Sequence, residues 1–147
     1  MPSAGYHTFD KTLQESNLWL KELMDVLHTN DREIAYRILR ATLHAVRDRV
    51  GPENAVHLGA QLPMLLRGLY YEGFRLAQST TTERHLPAFL DHVRAELPSG
   101  LAIGLEEAVK GVFWVMSDKI DRREVAKIGN VLPAEIRALL PPADVLT

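Results

Sequence analysis

An all-α fold, built as a tandem duplication of a four-helix unit, is what this sequence predicts. Three observations carry it. No stretch alternates apolar and polar residues with period two over a useful length, which argues against half-buried strands. Apolar residues instead recur at helical spacing, as in Ala35, Ile38, Leu39, Thr42, Leu43, Val46 and Val50. The run GAQLPMLLRGLYY (59–71) is also echoed seventy residues later by GNVLPAEIRALLP.

At that offset, residues 38–70 lie on 108–140 without a gap. Asp48, Gly59, Leu62, Pro63, Arg67 and Leu69 meet Asp118, Gly129, Leu132, Pro133, Arg137 and Leu139. The apolar class is kept between them: Leu39 with Val109, Leu43 with Phe113, Val46 with Met116, Leu66 with Ile136. The same frame lays WLKELMDVL (19–27) on FLDHVRAEL (89–97). Self-similarity at a fixed period marks a repeated supersecondary unit. The expected division is a first helical repeat over 1–74, a linker over 75–86 and a second repeat over 87–147, packed as one globular domain.

The elements follow in order. A first helix runs from about Asp10 to Leu27. Asn30-Asp31 is a capping pair for the second, which stops at Gly51. Pro52 suits the first position of a short third helix. Leu62-Pro63 breaks that helix, because a residue before proline avoids the α region, and Pro63 opens a fourth. Gly73 ends it. RLAQSTTTER is the polar linker, with Thr80 and Glu83 at capping-box spacing. Helices are then expected over 87–97, 102–120, 122–130 and 133–140. Leu-Pro is thus a helix-to-helix corner, used once per repeat.

Composition excludes several chemistries. Apolar residues make up 46% and charged residues 24%, as in an ordinary globular domain. A net charge of -2 supplies no general pull toward phosphate backbones or anionic lipid. Without cysteine there is no disulfide, thiolate nucleophile or Cys-based metal site. MPSAGYHTFDK lacks the basic patch and apolar run of a signal peptide, so a cytoplasmic protein is expected. No metal and no cofactor are expected.

The recurring polar residues read as structural. Asp48 with Arg67, and Asp118 with Arg137, are expected to pair across the corner of each repeat. Residues private to one repeat are where a specialised role would sit. His57, Gln61, Tyr70 and Tyr71, with the recurring Arg67, crowd the first corner, a polar-aromatic candidate for a small-molecule site. Arg37, Arg40, His44 and Arg47 form a strip on the second helix, opposite its apolar face. That strip is expected to be solvated rather than to meet nucleic acid, since Glu33 shares it and no aromatics interleave. Ile103 and Trp114 point away from the core face of helix 102–120, which makes them candidates for an inter-repeat or subunit contact. No HExxH, and no serine beside a base, marks a catalytic centre.

The pieces AYRILRATLHAVRDR, HLGAQLPMLLRGLYYEG, FLDHV and VLPAEIRALL closely resemble the family known as domain of unknown function 2267, DUF2267. The resemblance runs from about Leu18 to Leu140, with Phe74 where members usually have tryptophan. It implies a small bacterial helical protein and carries over no catalytic residue. The leading expectation is a non-enzymatic interaction or regulatory module acting through helix surfaces, with a protein partner or a homodimer and no membrane. The alternatives are a ligand binder or enzyme at the first corner and, more weakly, a nucleic-acid contact through Arg37, Arg40 and Arg47.

Overall fold

The computed structural model describes residues 4–78 and 85–142, with side chains from His7 onward. Among these are eight α-helices and no strand. They are α1 (Ala4–Leu27), α2 (Arg32–Arg49), α3 (Pro52–Ala60), α4 (Met64–Tyr71), α5 (Leu86–Arg94), α6 (Leu105–Lys119), α7 (Arg122–Val131) and α8 (Ala134–Arg137). A 3-10 turn, Leu76–Gln78, follows α4. Thr80 and Glu83 lie outside the described residues.

Local chemistry sets the ends. Asp31 caps α2 by accepting from Ile34 N–H at 3.1 Å. Gly51, at φ 87, takes the left-handed turn between α2 and α3 that a side chain would resist. Both prolines of the Leu-Pro pairs cap the following helix in nearly the same conformation, φ -55, ψ 150 at Pro63 and φ -58, ψ 154 at Pro133. α1 begins six residues before Asp10. α6 begins at Leu105 rather than residue 102, because Gly100 sits at φ 75 and Gly104 is the cap. Ile103 therefore lies in the preceding turn. It shares no helix face with Trp114, contrary to the sequence expectation, and both side chains are half-buried.

Helix α2 is the axis of the molecule. Every residue from 41 to 50 is buried, and α1, α3, α4, α5 and α6 all pack on it. A helix buried all round is central by definition, so its polar residues must find partners inside. α6 supplies the second core element, with Ala108, Val109, Val112, Phe113 and Val115 fully buried. Phe113 meets Phe89 of α5 with ring centroids 6.4 Å apart. α1 lies against α6 where Gly111 has no side chain: a β-carbon there would sit 2.7 Å from Leu27 Cδ2.

Candidate functional site

The first corner is held by its own side chains. Arg67 projects from α4 back to the end of α3, donating to the carbonyls of Gly59 at 3.0 Å, Ala60 at 3.4 Å and Leu62 at 3.0 Å. These carbonyls lie where α3 ends, and Gly59 O also accepts from Leu62 N–H at 3.1 Å. Tyr70 is fully buried and donates to Ala55 O at 2.6 Å; burial pushes its hydroxyl far above the ordinary tyrosine range, so it stays a donor. Tyr71 packs on Tyr70 at 5.0 Å and donates to Val56 O at 3.4 Å. Its ring fills the space over Gly59, where a β-carbon would lie 2.7 Å from Tyr71 Cζ.

The five residues expected to line one site are thus divided. Gln61 and Arg67 line a cleft of about 450 Å³ with Lys11 and Thr12 of α1. His57 is exposed on α3 and does not line it. The two tyrosines fasten α4 to α3.

The expected ion pairs do not form. Arg67 is taken by backbone carbonyls, and Arg137 likewise donates to Leu132 O at 3.2 Å. Both arginines follow the geometry of the corner: the nearest acceptors are the freed carbonyls one turn back, not a carboxylate on another helix. Asp48 is instead buried with Arg47 and His92. Asp118 faces Glu22 of α1, whose carboxyl is raised first by burial and then by the hydrogen bond it shares with Asp118; Lys119, at 3.2 Å, works against that shift.

In the arginine strip of α2 only Arg37, paired with Glu33 at 3.1 Å, is solvated as expected. Arg47 and His44 are buried, and together with Arg40 they build a polar seam against α5 and the end of α4. Arg47 holds Asp48 through two bonds, 2.9 and 3.2 Å, and donates to Tyr70 O at 2.6 Å and Glu72 O at 2.9 Å. A cation so placed satisfies the C-terminal carbonyls of α4 and its dipole. Its guanidinium also lies 5.3 Å from the centre of the Phe74 ring. His92 of α5 reaches Asp48 at 3.3 Å. Burial pushes Asp48 up, but the bonds from His92 and Arg47 outweigh it and hold the carboxyl below its ordinary range. Arg40 bridges Glu72 and Glu96, each at 2.7 Å. His44 faces Glu96 through Nδ1 at 2.9 Å and Leu69 O through Nε2 at 2.7 Å. Both its ring nitrogens meet oxygen acceptors, so the arrangement needs a proton on each or one on Glu96.

Sequence reasoning missed Glu96 and His92, though a signal for them exists. Arg40, His44 and Asp48 step by four along α2, and His92 and Glu96 step by four along the facing segment. Run antiparallel, acid meets base in both rungs, Asp48 with His92 and His44 with Glu96.

Among the described residues no group of three His, Asp or Glu side chains could hold a metal ion, and no helix is long and apolar enough to cross a membrane. No curated protein matches the chain closely. The model of the DUF2267 family, described as an uncharacterized conserved protein, matches residues 16–139. That span holds every helix of the seam and both corners, and the chain belongs to the DUF2267 family.

Proposed function

We propose that this chain is a non-enzymatic interaction module, made of two copies of a four-helix unit, that works by offering helix surfaces to a protein partner, a second copy of itself included. The observation that carries the reading is where unpartnered apolar surface lies. Phe9 and Leu13 of α1 are 69% and 50% exposed, and Met64 and Leu65 at the start of α4 are 58% and 50% exposed. Thr12 Oγ1 accepts from Leu65 N–H at 2.9 Å, which holds the two helix ends together. Large apolar side chains gathered at one end of a molecule mark an interaction surface. The buried His44, Arg47 and Asp48, by contrast, are engaged internally.

The duplication, with repeats over 1–74 and 87–147, is supported by the matched corners. In both, the Arg amide donates to the proline carbonyl at 2.8 Å and the guanidinium to the leucine carbonyl. A cytoplasmic setting is part of the proposal, supported by the cysteine-free composition. Trp114 and Ile103 carry less of the interface reading than α1 and α4 do, being half-buried and on different elements. A nucleic-acid role is left with little basis, since Arg40 and Arg47 are bound to carboxylates and carbonyls and the exposed Arg37 is paired with Glu33. Over Gly59 ligand binding at the first corner is disfavoured by Tyr71, which fills that space, and the separate cleft at Gln61 and Arg67 includes neither His57 nor the tyrosines.

Sedimentation velocity over a concentration series is the test. The expected result is reversible association that a Phe9→Asp, Leu65→Asp variant abolishes while its helical circular dichroism is unchanged. A wild-type monomer at high micromolar concentration, with the variant indistinguishable from it in partner capture, removes the reading.

A further inference from the structure

The two Leu-Pro corners differ in what fills them. At an offset of seventy, Arg47, Tyr70 and Tyr71 correspond to Ser117, Leu140 and Pro141. The first set is a long cation and two phenol rings, packed on one another and over Gly59. The second set is much smaller, and a cavity of about 400 Å³ opens there between α6, α7 and the segment after α8. That volume falls within the range of small-molecule sites, about 300–1,000 Å³.

The cavity has a directional lining. Val125, Ala126, Leu140 and Pro141 make it mostly apolar. Among the described residues that line it, the charged groups are Arg137 and Arg122, the latter already engaged elsewhere, and none is a carboxylate. Arg137 keeps donors in hand: it makes one carbonyl bond, to Leu132, where Arg67 makes three at the matching place. Ser117 also lines it, but its Oγ is shut off from solvent and offers the cavity no polar contact.

We infer that the second corner binds a small planar aromatic acid, its ring where the first corner keeps tyrosine rings and its carboxylate on Arg137. A guanidinium pairs with a carboxylate through parallel N–H bonds, which fixes orientation as well as charge. The cavity and its lining stand without the duplication; the choice of an aromatic body rests on that reading.

The test uses the full chain with benzoate and 4-hydroxybenzoate as probes and benzyl alcohol as the neutral control. Amide shifts in nitrogen-15 spectra are expected to saturate at Ser117, Ala126, Gly129 and Asn130, with benzyl alcohol at least about tenfold weaker because it lacks the charge-assisted bond. Arg137→Gln should weaken benzoate about tenfold and leave benzyl alcohol unchanged. Ala126→Leu, which narrows the cavity without touching either arginine, should weaken all three probes and guards against misfolding of the arginine variant. No shifts at millimolar benzoate, equal affinity for benzyl alcohol, or shifts centred on the first corner would each overturn the assignment. Tyr71→Ala separates the two readings. If it creates a second benzoate site at Gly59, the corners are equivalent; if the second corner binds and Gly59 does not respond, the site stands and the equivalence falls.

Discussion

Among the contacts between the first four helices and the last four, two seams have opposite chemistry. Between α1 and α6 the contact is apolar, Leu23 and Leu27 set against the bare backbone of Gly111. Between α2 and α5 it is ionic, Asp48 with His92 and Arg40 and His44 with Glu96. Burying hydrocarbon stabilises in proportion to area and specifies little. Burying charge barely stabilises on balance but penalises every misalignment, since a slipped register leaves a charge unpaired. The apolar seam thus supplies association between the halves, and the ionic seam fixes where along α2 the fifth helix sits.

Breaking the ionic seam at its centre should give the largest effect. Arg47→Ala removes both bonds to Asp48 and both to the end of α4. It leaves a buried carboxylate with His92 alone, and the loss of one partner of a buried pair costs about 3–5 kcal/mol. Urea denaturation should show it as a fall in midpoint at constant m. An effect below about 1 kcal/mol, the size of a surface pair, would mean the seam is solvated and its charges are decorative.

The apolar seam should give way less. Gly111→Val places a branched side chain where Leu27 Cδ2 and Leu23 Cδ1 already stand at 2.7 and 3.3 Å from a β-carbon. Both obstacles are ends of flexible leucines, so overpacking of about 1–3 kcal/mol is expected. Gly111→Ala should come closer to neutral, because its higher helix propensity, about 1 kcal/mol, offsets part of the clash. If Val is as mild as Ala by the same urea titration, the helices are not in close contact there.

The contrast between the seams also explains what was legible in the sequence. Helical periodicity, the caps and both Leu-Pro corners could be read directly, because each is set by residues within one or two turns. Ile103 was misplaced by a shift of a few residues at the start of α6, where two glycines delay the helix. The ion pairs were misread for a different reason. Asp48 and Arg67 recur together, and recurrence shows that both are needed in each repeat without showing that they touch. Whether Arg37, Arg40, His44 and Arg47 are solvated depends on what covers that side of α2. Arg37 stays exposed, while Arg40, His44 and Arg47 are covered by the end of α4 and by α5 with the chain after it, so no local pattern on α2 alone reveals it. The cavity at the second corner was equally hidden: it arises from what Ser117, Leu140 and Pro141 lack.

The smallest expected effects are pH-dependent, and the two seams carry opposite signs. Asp48 is held below its ordinary value of 3.8 because its bonds to His92 and Arg47 outweigh burial. Its contribution is therefore present above that value and lost as pH falls through the lower folded one. Glu22, beside the apolar seam, is raised above 4.5 by burial and by Asp118. Its contribution is present below 4.5 and lost as pH rises through the folded value. Asp48→Asn should accordingly be less stable at neutral pH and lose part of the acid limb. Glu22→Gln should do the reverse, matching the wild type in acid and exceeding it at neutral pH by less than about 1 kcal/mol. The gain survives loss of the Lys119 pair at 3.2 Å, because a raised carboxyl means that burial and Asp118 together outweigh that lysine. Urea midpoints between pH 3 and pH 7, the span over which carboxylates titrate, decide it. A Glu22→Gln protein less stable than the wild type at neutral pH would show that Lys119, not Asp118, governs that edge of the seam.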